Sequence, residues 1–354
     1  MLRRFRAAAR PPAIPDPDKR NFTMPAEEEP HEGTWLQWPH NRTTSRHGKD
    51  KNLIERYEPA WIQMTKALHT GEKVHLIVYD DVYRERIRQR LEEEGCDMNQ
   101  IDFFVYPTDD VWCRDNGPVF VRDHETNALH ITDWGFNGWG KQYDYKLSNE
   151  IPKLIAKELN MPITTIPMVN EGGSVEVDGN GTLMAKQSSI LHHNRNPGWT
   201  QQDAEAYFSR YLGVTNFIWL KGTPGLDITD DHIDGTARFA PGNTIVTFFR
   251  DDFEDPREYD QLQRAANVAG EKYNIVHLPL TTMKVVNRDY GFYINYCVGN
   301  EVVLMPSFDD PSDDEAMNIL QAVYTDRKIV MVPMKEVLKD GGMMHCVTQQ
   351  QPLA

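Results

Sequence analysis

Alternation is the feature that constrains this chain most. Runs rich in β-branched residues and amphipathic runs follow one another, and a chain so patterned must pack helices against sheets. Residues 73–80, KVHLIVYD, have the pattern of a strand, and 82–95, VYRERIRQRLEEEG, that of an amphipathic helix closed by Gly95. The same pairing recurs in NTIVTFF (243–249) with a helix predicted over 257–269. It recurs again in EVVLMPSF (301–308), the helix pattern DDEAMNILQAVY and the strand KIVMVPM (328–334). Units spaced about 60–70 residues apart imply an α/β fold with internal repetition, although the units share no sequence self-similarity.

From about Phe22 onward no linker, low-complexity tract or charge block divides the chain, so residues 21–354 are expected to form one domain. Residues 1–15, MLRRFRAAARPPAIP, hold four arginines and no acid. That composition sets residues 1–20 apart as an extension, either disordered or an organelle-targeting segment. No apolar run reaches the roughly 20 residues that span a bilayer. The four cysteines, Cys96, Cys113, Cys297 and Cys346, have neither metal-motif spacing nor the density of a disulfide scaffold, which favours a reducing cytoplasm. The net charge of −15 argues against a nucleic-acid partner and is compatible with a cationic small molecule.

Three segments carry the chemistry-bearing residues. In TDDVWCRDNGPVFV (108–121) turn formers precede a strand, which puts Trp112, Arg114 and Asp115 on a loop entering a sheet. In NEGGSVEVDGNGTLMAK (170–186) the turn Asp178-Gly179-Asn180-Gly181 predicts a hairpin. Glu171 there precedes Gly172-Gly173, where the backbone can pass close to something bulky. In LDITDDHIDGTARF (226–239) an extended reading places Asp230, His232 and Asp234 on one face. A calcium loop is excluded there, because its twelfth position would be Pro241 rather than glutamate. A transition-metal site on TDDHID stays as a minor reading.

Near the end of the sequence stands GGMMHCVTQQQP (341–352). Cys346 alone is as well read as a tail residue or a small buried hydrophobe. A nucleophilic thiolate needs a proton-handling partner; His345, its neighbour, points elsewhere, whereas His232 could reach it from another strand. The remaining carboxylates Asp115, Glu171 and Asp234 accept hydrogen bonds, which suits a planar, permanently charged guanidinium.

Taken in order, EPHEGTWLQWPHN (29–41), WCRDNGP (112–118), DWGFNGWGKQY (133–143), EGGS (171–174), NRNP (194–197), TDDHID (229–234) and GGMMHCVTQQQP resemble the motifs of agmatine deiminases and their bacterial peptidylarginine-deiminase-type relatives. The resemblance runs from about residue 22 to the end. It implies a five-bladed α/β propeller of pseudo-fivefold ββαβ repeats, with the active site in a central channel. It also implies Cys346 as nucleophile, His232 as general acid/base, Asp115, Glu171 and Asp234 as guanidinium ligands, and Trp112 lining the pocket. The expected activity is hydrolysis of a guanidine C–N bond, in agmatine to N-carbamoylputrescine, with no metal or organic cofactor and with a homo-oligomer left open. Alternatives are deimination of free or peptidyl arginine, and a non-catalytic guanidinium binder. The chain departs from the family pattern at Glu28, at Cys113, at Met343-Met344 and in WPHNRTTSR after the Trp-Pro motif.

Overall fold

A computed structural model describes residues 12, 14–42, 50–286 and 289–354. Residues 1–11 and 13 of the expected extension lie outside that set, as do 43–49, which include the last four residues of WPHNRTTSR. The fold is α/β. Among the described residues no helix is long and apolar enough to cross a membrane.

Among the described residues one order of elements recurs five times. An antiparallel strand pair leads through a helix to a third strand, which pairs in parallel with the second. Val119–Asp123 and Leu129–Gly135 pair antiparallel, and Ile163–Val169 adds in parallel after the helix Ile151–Glu158. Val175–Val177, Thr182–Lys186 and Asn216–Leu220 repeat this around the helix Gln201–Leu212. Ala237–Ala240, Thr244–Thr247 and Asn274–His277 do so around Pro256–Leu262, and Cys297–Val298, Val302–Ser307 and Lys328–Pro333 around Ser312–Val323. The fifth unit is assembled from both ends of the described chain. Thr348–Pro352 runs antiparallel to His31–Gln37, which is followed by Leu53–Leu68 and the parallel strands Lys73–Val78 and Ile101–Val105. Leu280–Val286 and Asp289–Phe292 form a separate two-stranded ribbon.

Local chemistry explains several boundaries. The helix Asp81–Glu93 starts where the Asp80 side chain accepts the Tyr83 N–H at 2.9 Å, and it buries Tyr83, Ile87 and Leu91 at four-residue spacing. The turn after Val177 uses Gly179 and Gly181 at φ +70° and +102°, as the Asp-Gly-Asn-Gly signal predicts. The helix expected over 257–269 stops at Leu262. Beyond it the Asn267 side chain accepts the N–H groups of Ala269 and Glu271, offering the backbone a turn in place of a helix.

The strand Thr348–Pro352 is buried throughout. The Trp35 indole donates to Gln351 Oε1 at 2.9 Å and fastens this strand to its partner. Cys346 therefore precedes a core strand, not a frayed tail. Four of the five units open on a one-turn helix just before their first strand: Cys113–Asn116, Gly172–Ser174, Ile233–Gly235 and His345–Val347. Cys113–Asn116 packs on both Gly172–Ser174 and His345–Val347, and Gly172–Ser174 also packs on Ile233–Gly235. In the remaining unit Asn295 holds the corresponding place, two residues before Cys297. Equivalent positions of five repeats thus converge on one spot.

Candidate active site

Gly173 marks the centre of that spot. A Cβ there would lie 2.8 Å from both Asp234 Oδ2 and His232 Nδ1, and 3.0 Å from Asp115 Oδ1. A side chain at this position would displace all three, so the bare backbone is what allows them to converge. Gly172 is equally constrained, since its Cβ would meet the Arg114 carbonyl oxygen at 2.1 Å.

Asp115 is held from two sides. The Gly173 N–H donates to Oδ1 at 3.1 Å and the Trp139 indole to Oδ2 at 2.9 Å. His232 Nε2 lies 3.2 Å from Glu171 Oε2, and its Nδ1 lies 3.8 Å from Asp115 Oδ1, buried and without a hydrogen-bond partner. Asp234 Oδ2 accepts from His345 Nδ1 at 2.7 Å, and its peptide oxygen accepts from Asn295 Nδ2 at 3.3 Å. Cys346 Sγ stands 3.9 Å from Asp234 Oδ2 and 3.6 Å from Asn295 Oδ1. The structure thus brings Cys346, His232, Asp115 and Asp234 together.

Two expectations change. Glu171 turns both oxygens to protein partners, Oε1 receiving Arg195 Nε at 2.9 Å while Oε2 faces His232. In this structure it therefore meets the imidazole and Arg195, whereas the sequence reading set it facing a guanidinium. The segment 229–234 is not extended. Asp230 and Asp231 both adopt left-handed backbone, φ +61° and +74°, a region aspartate tolerates better than most residues. Asp230 consequently leaves the face of His232 and Asp234 and binds Arg195 Nη1 at 2.5 Å, while Asp231 binds Lys186 Nζ at 2.5 Å. These cations occupy the carboxylates that the metal reading would have used.

Cys346 opens onto a narrow pocket walled by Trp112, Trp139, Tyr143, Ile228 and Gly341-Gly342, with the carboxylates of Asp110, Asp115, Asp144 and Asp340 around it. Among the described residues no lysine or arginine lines it. Of the basic residues within the shared motifs, Arg114 is taken up by Gln350 and the His345 carbonyl, Arg195 by Glu171 and Asp230, and Arg238 by Glu27 and Glu176. Lys141 is exposed.

Burial and charge set the protonation pattern. Burial opposes the His232 imidazolium, but the charge of Asp115 and the hydrogen bond and charge of Glu171 outweigh it and raise the ring to about 9. Burial, with Asp234 and Glu171 nearby, pushes Asp115 up to about 6 despite the attraction of His232. Burial followed by the charges of Asp234 and Asp115 raises the Cys346 thiol well above its ordinary value. Asp234 moves the other way: burial would raise it, and the hydrogen bond and charge of His345 bring it below the usual carboxylate range.

Trp139, Arg195, Asn295 and Glu27 complete the surroundings and were not singled out from the sequence as site residues. Trp139 carried one local signal, its place between two glycines in NGWGK, where it adopts φ +49°.

A thiol, an imidazole and paired carboxylates around a pocket form the equipment of a cysteine-dependent hydrolase acting on a cation. Comparison with known proteins supplies the lineage. The family model for Porphyromonas-type peptidyl-arginine deiminase matches residues 23–352, and the chain belongs to that family. It is 33% identical to the agmatine deiminase of Pseudomonas aeruginosa (strain LESB58), over 95% of this chain and 97% of that one. Its fold matches that of the agmatine deiminase of Enterococcus faecalis with a TM-score of 0.83 at 24% identity, covering 97% of this chain and 99% of the other. The agmatine deiminase of C. jejuni, solved with substrate bound, superposes at a TM-score of 0.82 and 23% identity over 94% and 97%.

Proposed function

We propose that this protein is an agmatine deiminase, hydrolysing the guanidinium C–N bond of agmatine to N-carbamoylputrescine and ammonia. The observation that carries the reading is a thiol lining a narrow pocket whose charged lining residues, among those described, are all carboxylates. Five recurrences of one strand–strand–helix–strand order, joined through Thr348–Pro352, support a five-bladed propeller with this pocket in its central channel.

In the proposed reaction the guanidinium enters between Asp115 and Asp234. Its charge offsets the two carboxylates that keep Cys346 protonated, and the thiol proton passes to solvent water, where the released ammonia takes it up as ammonium. The thiolate adds to the guanidinium carbon, and the His232 imidazolium protonates the departing nitrogen as ammonia, leaving an S-alkylthiouronium. Neutral His232 then takes a proton from water as the oxygen adds to the same carbon. Collapse of that adduct breaks the C–S bond, returns a proton to sulfur and releases the ureido product. Glu171, fixed by Arg195, holds the imidazole through Nε2 and leaves Nδ1 facing the reacting atoms.

Free arginine adds a carboxylate to agmatine's skeleton, and among the described residues nothing cationic in the pocket lining would receive it. Agmatine brings a second cation instead. We therefore expect agmatine to be favoured over arginine by at least about 100-fold in kcat/KM, equivalent to about 2.7 kcal/mol. The name of the matched family favours a second reading, deimination of arginine within peptides. Ammonia release from agmatine, free arginine and an arginyl peptide separates the readings. Citrulline formed in the peptide with agmatine inert would overturn the first, and comparable rates on free arginine would remove the charge argument. We further place the protein in the cytoplasm with a small cationic molecule as its partner, consistent with its acidic composition.

A further inference from the structure

Behind the nucleophile lies a buried ionic cluster that the proposed reaction leaves unused. His345 Nδ1 is 2.7 Å from Asp234 Oδ2, and its Nε2 is 2.8 Å from Glu27 Oε2. Carboxylates only accept, so both ring nitrogens must carry hydrogen and the ring is an imidazolium. Its backbone is pinned as well, the His345 N–H donating to Asn295 Oδ1 at 2.9 Å.

The groups facing this ring come from five different segments. Glu27 precedes the strand His31–Gln37, Arg114 lies in Cys113–Asn116, Glu176 in Val175–Val177, Asp234 in Ile233–Gly235 and Arg238 in Ala237–Ala240. Arg238 bridges Glu27 at 2.6 Å and Glu176 at 2.5 Å, Arg114 approaches Glu27 at 3.6 Å, and Glu176 lies 3.9 Å from His345. Three carboxylates therefore meet three cations when His345 is charged. Glu27, Glu176 and His345 also have the spacing of a metal site, but the two arginines already neutralise that cage.

We propose that His345 is a positioning residue, an imidazolium clamped between Glu27 and Asp234 that fixes the charge and orientation of Asp234 at the guanidinium site. This rests on the reading of Asp234 as a guanidinium ligand. The contrast between the two substrate-facing aspartates supports it. Asp115, whose cationic neighbour is the catalytic ring itself, is raised to about 6, whereas Asp234, backed by His345, is lowered. The neighbour of the nucleophile in sequence thus reaches it through a third residue: His345 to Asp234 to Cys346.

The test alkylates Cys346 with chloroacetamidine, which carries the cationic head group, and with its neutral isostere chloroacetamide. His345→Gln and Glu27→Gln are compared with wild type and with the charge-retaining Glu27→Asp. In His345→Gln the preference for the amidine should fall about 10- to 100-fold, the range for one hydrogen bond to a charged group, while the chloroacetamide rate holds. Glu27→Gln should move in the same direction, and Glu27→Asp should recover part of the preference. The acid limb of amidine labelling, set in wild type by Asp115, should move to higher pH in His345→Gln, because Asp234 there loses the cation that keeps it ionised and titrates alongside Asp115. An unchanged preference in a folded variant, an equal fall in both rates, or loss of the native fold in both glutamine variants would overturn the proposal. A wild-type protein that shows no preference for the amidine would overturn the guanidinium reading beneath it.

Discussion

Asp115 and His232 make opposite demands on pH. The proposed reaction needs a carboxylate on Asp115 to hold the guanidinium and a proton on His232 to release ammonia. With Asp115 raised to about 6 and His232 to about 9, kcat/KM should fall below about pH 6 as the carboxylate is lost, and above about pH 9 as the imidazolium is lost. A profile flat from pH 5 to 10 would remove both assignments. Asp115→Asn should erase the acid limb and lower kcat/KM about 30-fold or more, the cost of taking one partner from a desolvated charge pair. The cysteines divide as clearly. Cys113 is buried and its thiol is pushed up to about 12, chiefly by burial, so it packs and does not react. Cys346→Ala should abolish ammonia release with the unfolding transition intact, whereas Cys113→Ala should keep most activity. The reverse pattern would reassign the nucleophile.

The one-turn helices, more than the strands, decide whether the site exists. Gly173→Ala adds a single methyl to Gly172–Ser174, and that methyl would crowd Asp234, His232 and Asp115 together. Displacements near 1 Å at a reacting centre can cost about 100-fold, so kcat/KM should drop by at least about that factor. The thermal midpoint should fall by only a few degrees, because overpacking one buried methyl costs about 1–3 kcal/mol. Wild-type kinetics in this variant would show that the three side chains are free to shift. Elements written in local chemistry were legible beforehand, such as the Asp178–Gly181 turn and the helix that Asp80 starts. The grouping of Cys346 with His232, Asp115 and Asp234 was legible from residue types together with the family motifs. The strand pattern over Asp230–Asp234 misled, since a period of two cannot reveal two consecutive left-handed aspartates. Arg195, Trp139 and Asn295 stayed hidden because their meaning lies in contacts across 24 to 51 positions, which no short window contains. The fivefold order of elements is carried by geometry that unrelated sequences satisfy, so it could not appear as self-similarity.

At the scale of the whole molecule, a net charge of −15 surrounds a pocket walled by acids. A field of one sign gathers cations of the other, and salt dissolves it. Raising ionic strength from about 0.01 to about 1 M shrinks the screening length from about 30 Å to about 3 Å. Over that range kcat/KM for agmatine should fall several-fold with kcat nearly constant, whereas kcat falling in step would point to damage at the site itself. Closure matters as much as charge. Thr348–Pro352 finds its partner in His31–Gln37, more than 300 positions away, and a contact so distant in sequence carries a loop-closure cost that local contacts do not. Until that seam shuts, nothing holds Cys346 beside Asp234 and Asn295 or carries His345 to Glu27. A chain caught partway through folding thus carries an ordinary thiol with no cationic clientele. The chemistry of Cys346 is thus a property of the joined ends of the described chain and not of the cysteine by itself.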